Sequence, residues 1–140
     1  MRRALSLLAI GCAGLAAGCG GDADSDEEEI RRVVRDFATA VAAGNGERAC
    51  RQLTGTGQRE LVEAVTAAFP DPGDVGCEEA VGELSNDMAP ERKTALLNPK
   101  VRDVEIVSDS AEVRLAGLGR PVRLSREDGN WQVAGSDVAG

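Results

Sequence analysis

Histidine and tyrosine are absent from this 140-residue sequence, which contains only two phenylalanines and one tryptophan. Without histidine, every Ser–His and Cys–His pairing of nucleophile and base is excluded. A general base would have to be a carboxylate whose pKa is raised by burial. The sequence therefore leaves Asp and Glu side chains as the candidates for acid–base chemistry.

Positive charge is also scarce, with 16 basic against 24 acidic residues and a formal net charge of −8. Lys93 and Lys100 are the two lysines, and the sequence shows no basic patch. Nucleic acid and anionic lipid headgroups repel such a chain. Phe37, Phe69 and Trp131 are the residues that could stack on a base. We therefore expect no nucleic-acid partner.

A hydrophobic run long enough to span a bilayer is missing too. The uncharged apolar stretch 4–17 is shorter than the about 20 residues that a transmembrane helix needs. It follows Arg2 and Arg3 and ends in the sequence Leu-Ala-Ala-Gly-Cys, residues 15–19. A positive start, an apolar run and small residues before a cysteine are typical of a secretory signal peptide, here with a lipobox.

The lipobox predicts that residues 1–18 are removed and that Cys19 becomes the acylated N-terminus, with palmitate among its acyl chains. The alternatives are an uncleaved membrane anchor, ordinary secretion with Cys19 as a free thiol, and cleavage at the weaker lipobox before Cys12. Because the chain is acidic, acyl chains rather than charge would hold it at the extracytoplasmic face of the cell membrane. Its membrane partner is thus expected to be lipid, bound through Cys19.

Two further cysteines, Cys50 and Cys77, form an even pair once the N-terminal two are assigned. Outside the cytoplasm such a pair is expected to oxidise to a disulfide. A metal site or a catalytic thiol is the alternative, but two isolated cysteines without histidine make a poor zinc site. The acidic run 22–26 resembles the start of a calcium loop but lacks its glycine and its final glutamate. We expect no metal and no cofactor.

Helical periodicity fills the first two thirds of the domain. Residues 19–25 are expected to comprise the lipidated cysteine and a flexible tether. Ser25 with Glu28 fits a capping box at the start of the first helix. The predicted helices are a first with an apolar stripe, a second over 47–53, a third with Thr56 as its N-cap, a fourth from Cys77, and a last short turn after Pro90. The stripe of the first helix comprises Ile30, Val33, Val34, Phe37 and Val41.

From Pro99 the apolar residues alternate with polar ones, which predicts four short strands with one apolar face. The breaks at 108–110, 117–119 and 127–130 have turn composition. Helices followed by strands predict an α+β fold with the helices packed on an antiparallel four-stranded sheet. We expect one such domain over residues 26–140.

Two segments carry a resemblance to a known family. The first helix, Glu-Ile-Arg-Arg-Val-Val-Arg-Asp-Phe-Ala-Thr-Ala-Val-Ala-Ala-Gly-Asn-Gly-Glu-Arg-Ala-Cys, resembles the opening of NTF2-like domains, the superfamily of SnoaL and ketosteroid isomerase. The ending Val-Arg-Leu-Ser-Arg-Glu-Asp-Gly-Asn-Trp-Gln-Val resembles the closing hairpin of the same group. The chain is similar to small lipoproteins of high-GC actinobacteria. The resemblance implies a curved, cone-shaped sheet over about residues 30–133.

Enzymes of this family usually place Asp, His or Tyr inside the cone. The resemblance therefore implies that a catalytic residue of this chain would lie there. Asp36 is the helical acid nearest the apolar stripe, and Asp103 and Glu105 lie on strands. We expect all three to be exposed or paired with arginine, Asp36 facing Arg32 or water. The side chains that could line a ligand cavity in the cone are Phe37, Val113, Leu115 and Trp131.

Two functions follow as hypotheses. The first is a lipid-anchored, non-enzymatic domain that binds a partner protein or a small apolar ligand at the outer face of the membrane. The second is a carboxylate-dependent isomerase or cyclase on the same scaffold. A carboxylate that points into an apolar cavity would favour the second.

Overall fold

The computed structural model describes residues 20–69 and 73–135. Over these ranges the fold is α+β, with five helices followed by a four-stranded antiparallel sheet that does not close. The helices are α1 Gly20–Ala42, α2 Gly46–Arg51, α3 Gly55–Ala68, α4 Cys77–Asp87 and α5 Pro90–Leu97. The strands are β1 Val101–Val107, β2 Ser110–Leu115, β3 Val122–Glu127 and β4 Asn130–Gly135.

Helix α1 lies across the sheet and supplies the centre of the core. Its predicted apolar stripe is confirmed, because Ile30, Val34, Phe37 and Val41 are each at most 1% exposed. The helix contacts β4 on the sheet and α5 beside it. Burial of a side chain of this size stabilises the fold by about 1.5–3 kcal/mol relative to an exposed position.

The start of α1 corrects two predictions. The helix begins at Gly20, so Ser25 lies inside it instead of capping it, and residues 20–24 belong to the helix instead of a flexible tether. Asp22 in the first turn suits the positive end of the helix dipole. The carboxylate of Asp26 is ion-paired with Arg126 of β3, which ties this part of the helix to the sheet.

The N-cap of α3 is a further correction, since Thr54 occupies it and not Thr56. The Thr54 hydroxyl accepts a hydrogen bond from the Gly57 N–H at 3.0 Å. Its backbone N–H donates to the Val133 carbonyl at 2.9 Å, which fixes the residue against β4. Leu53 forms a parallel bridge with Val133, so α2 ends at Arg51, two residues earlier than predicted.

The strands follow one another in the sheet in chain order, β1-β2-β3-β4. One face carries the alternating apolar residues and is buried against the helices. The segment 52–54 covers the outer edge of β4 through the hydrogen bonds with Val133. Tight turns join β1 to β2 and β3 to β4, and Ser108 and Asp128 adopt positive φ values of 56° and 50° there. The predicted meander with one apolar face is confirmed.

Candidate functional site

The three acids considered for catalysis lie on polar surface. Asp36 accepts a hydrogen bond from Arg48 of α2, with 2.9 Å between Oδ1 and Nη2, and its side chain is 39% exposed. Asp103 and Glu105 are exposed on β1. These positions agree with the prediction that all three are exposed or paired with arginine. The arginine that pairs with Asp36 is Arg48, however, rather than Arg32, because the end of α1 turns back into α2.

Buried polar residues in the described ranges are Thr54 and Ser85, and both support the fold. Thr54 caps α3, and the Ser85 hydroxyl donates to the Ala42 carbonyl at 3.0 Å. This second bond attaches α4 to the last residue of α1. No carboxylate in the described ranges is buried. The described part of the chain also holds no cluster of three or more Cys, Asp or Glu residues that could bind a metal ion.

The four side chains predicted to line a cavity all belong to the packed core. Phe37, Val113, Leu115 and Trp131 are between 0% and 4% exposed and lie in one apolar cluster with the other core residues. Leu115 also borders a surface cleft at the end of β2. The structure thus brings the four residues together, as contributors to the contact between α1 and the sheet.

Arg126 connects three parts of the structure that are distant in the sequence. Its guanidinium is ion-paired with Asp26 of α1, and its Nε lies 3.7 Å from Asp109 in the β1–β2 turn. The same group stacks over the Trp131 indole, 4.7 Å from the ring centroid. The Arg126 Nε and the Trp131 Nε1 are buried without a hydrogen-bond acceptor. Sequence analysis missed this cluster because its members come from both ends of the chain.

Cys50 of α2 and Cys77 of α4 lie within bonding distance of a disulfide, with their Cα atoms 6.2 Å apart. The predicted pairing is therefore present, and it joins two helices that also pack together. A cleft of about 440 Å³ adjoins the pair and is lined by Glu47, Arg51, Gln58, Glu78 and Glu79. The Gln58 side chain donates to the Cys50 carbonyl at 3.0 Å. The arrangement cross-links two helices and supplies no free thiolate.

A second cleft lies where β2 ends and β3 begins. Its volume is about 340 Å³, and its walls include Arg102 of β1, Arg114 of β2 and Arg120 of the connecting loop. Gly117 and Gly119 lie in the same loop, and Gly117 has a φ of +85°. Sequence analysis treated 117–119 as a turn and assigned no role to the three arginines. The alternation of charges on each strand could not show that the three arginines share one cleft.

Cys19 and Cys12, on which the anchoring prediction depends, lie outside the described residues. None of the described helices is long and apolar enough to cross a membrane. Comparison of the chain with protein-family models, with curated proteins and with solved structures finds no match.

Proposed function

We propose that this protein is a lipid-anchored domain that binds a partner at the extracytoplasmic face of the cell membrane and catalyses no reaction. The observation that carries the proposal is the pairing of Cys50 with Cys77 in a chain that also has a lipobox ending at Cys19. A disulfide of this kind persists in an oxidising compartment. The N-terminal signal supplies a route to that compartment. The cysteine pair and the N-terminal signal thus both support an extracytoplasmic location.

A binding role, rather than catalysis, is supported by the positions of the acids. A carboxylate acts as a general base near neutral pH only where burial or a like charge raises its pKa. Asp36 is bonded to an arginine, and Asp103 and Glu105 are exposed. No observation on the described residues favours the isomerase or cyclase alternative.

A partner protein fits these observations better than an apolar ligand. An apolar ligand of about drug size needs a site of roughly 300–1,000 Å³. The side chains that would form such a site in the cone, including Phe37 and Trp131, are packed against one another in the core. Contact with a folded partner needs only the surface.

The finer fold that we propose is the NTF2-like cone of small actinobacterial lipoproteins. Helices that precede an antiparallel meander, with α1 across its apolar face, support this assignment. The quoted segments of the first helix and the closing hairpin add a resemblance in sequence. The fold alone does not carry the function, since one scaffold hosts many activities.

The anchoring is tested by replacing the acylated cysteine. The Cys19→Ser variant should lose labelling by an alkyne fatty-acid analogue and should leave the membrane fraction. Cys12→Ser is the matched control, and it should retain both labelling and membrane association. Labelling of Cys19→Ser at the level of the unaltered protein would contradict the proposal.

The nature of the partner is tested with an uncharged apolar fluorescent probe, N-phenyl-1-naphthylamine, added to the detergent-purified protein below the micelle-forming concentration. Trp131 is the one tryptophan of the chain, so energy transfer from it reports a probe that is bound to the domain. We expect no saturable transfer. Saturable transfer would favour an apolar ligand over a partner protein.

A further inference from the structure

The cleft at the β2–β3 connection, hereafter the arginine cleft, is defined by Arg102, Arg114, Arg120 and the glycine-containing loop 116–121. All three arginines are exposed, and the residues that line the cleft include no acid. Three positive side chains therefore border one cavity of about 340 Å³ in a chain whose net charge is −8. This concentration of positive charge is opposite in sign to the chain as a whole.

Carboxylates neutralise several arginines elsewhere in the structure. The ion pairs in question are Arg31–Glu27, Arg48–Asp36, Arg51–Glu47, Arg123–Glu60 and Arg126–Asp26. Arg102 and Arg114, in contrast, form no ion pair or hydrogen bond with any described residue. Asp103 is opposite Arg114 in the register of β1 and β2, but the two side chains do not pair. Among the described residues, nothing therefore occupies the guanidinium donors of these two arginines, which can bind a ligand.

The backbone of the cleft is open to close approach. A Cβ atom placed on Gly119 would have no heavy atom within 4 Å, so nothing crowds the loop at that position. Gly117 holds a positive φ that residues with side chains rarely adopt, and this shapes the loop between the two strands. The glycines thus leave space between the arginines for a ligand.

We propose that the arginine cleft binds the phosphate group of a small phosphorylated molecule. Guanidinium groups match the oxygens of a phosphate with paired N–H donors, and charge-assisted bonds of this kind are about twice as strong as neutral ones. Two such groups suit a dianion better than they suit a single carboxylate. The cleft volume is near the lower end of the roughly 300–1,000 Å³ of small-molecule sites. It holds a phosphate with a small organic substituent.

The phosphate could belong to a lipid headgroup or to a soluble molecule, and the position of the cleft favours the soluble source. Arg126, at one end of β3, contacts Asp26 near the beginning of α1. Arg120 precedes the other end of β3, which places it about 20 Å farther along the sheet at 3.3 Å per residue. With the chain anchored at Cys19, the cleft lies away from the anchored end. This choice of source depends on the proposed anchoring, whereas the anion site itself does not.

The site is tested by calorimetric titration of the full-length, detergent-purified protein with glycerol 3-phosphate. We expect saturable binding that weakens at least tenfold in the Arg102→Gln/Arg114→Gln variant. The matched control is Arg32→Gln/Arg35→Gln, which removes the same charge from exposed positions on α1. The control should bind as the unaltered protein does. Absence of saturable binding, or an equal loss in the control, would overturn the proposal.

A second variant keeps both arginines and changes the loop. Gly119→Asp places a negative charge in open space beside the cleft, so it should weaken binding while thermal unfolding stays unchanged. Unchanged binding in Gly119→Asp would contradict the site. If the double variant fails to fold, this substitution decides the result alone.

The source of the phosphate is tested by repeating the titration in nanodiscs of phosphatidylcholine and of phosphatidylglycerol. Equal affinity in the two lipids is the expected result for a soluble ligand. Weaker binding in phosphatidylglycerol that persists when salt screens the membrane charge would mean that headgroups occupy the cleft, and it would overturn the assignment to a soluble molecule. If Cys19→Ser keeps its labelling and its membrane association, the argument for the source is lost, but the titration result still stands.

Discussion

The cross-link between α2 and α4 gives the most quantitative prediction. Replacement of Cys50 and Cys77 by alanine removes a bridge between residues that are 27 positions apart. On the chain-entropy estimate, closing a loop of this length destabilises the unfolded chain by about 3.5 kcal/mol. The net stability of a domain is typically about 5–15 kcal/mol. The double substitution should therefore remove roughly a quarter to two thirds of the free energy of unfolding.

Alanine is the suitable replacement because the folded state can keep its packing. Cys50 is 8% exposed, and α2 still contacts α4 through the close approach of Gly46 to the Glu78 backbone. The effect should thus come from the unfolded state, where the loop between the two helices is released. An increase in the denaturant m-value would accompany the loss, since the unfolded chain exposes more surface.

Urea unfolding of the full-length protein measures both quantities, and circular dichroism follows the melting temperature. We expect the melting temperature of the Cys50→Ala/Cys77→Ala variant to fall by roughly 10–15 °C. Reductant should lower the stability of the unaltered protein to that of the variant and should not change the variant. A difference below about 1 kcal/mol would refute the argument from loop closure. Alkylation of both cysteines on unfolding without reductant would refute the bond itself.

Much of the fold could be predicted because its signals are local. The stripe of α1 and the alternation along β2 to β4 depend on residues within one turn or one strand, and both appear in the structure. The turn at Asp128 and Gly129 has its own backbone preference for positive φ. The pairing of Cys50 with Cys77 needed only the count of cysteines and the compartment. These features can be predicted without knowing which helices and strands pack together.

The errors in the prediction arise where a distant contact decides between two local signals. Ser25 with Glu28 is a good capping box, yet α1 continues to Gly20, and Asp26 pairs with Arg126, which is 100 residues away. Thr54 and Thr56 are equally good caps by type. The hydrogen bond from the Thr54 N–H to β4 selects the first of them.

The arginine cleft could not be predicted for the same reason. Arg102, Arg114 and Arg120 lie on two strands and a loop, and on each element an arginine is an ordinary exposed residue. The register of β1 with β2 and the shape of the loop after β2 bring them to one cavity. The alternation of polar and apolar residues shows which face of a strand each residue lies on. It does not show which residues of different strands lie at the same end of the sheet.

Two further substitutions test the packing of the helices and the docking of α1. Gly46→Ala should destabilise the protein by about 1–3 kcal/mol, because its Cβ would lie 2.5 Å from the Glu78 carbonyl oxygen. The control Gly82→Ala, with open space around it, should stabilise α4 by up to about 1 kcal/mol, and urea unfolding compares the two. Arg126→Gln should cost about 1–2 kcal/mol, since it removes the ion pair with Asp26 and the stacking on the Trp131 ring. Its matched control is Arg123→Gln, which breaks an exposed ion pair that is worth at most about 1 kcal/mol. Because Trp131 is the one tryptophan, its emission should change in Arg126→Gln and remain the same in Arg123→Gln. Equal stability and equal emission in the two variants would mean that Arg126 does not hold α1 on the sheet.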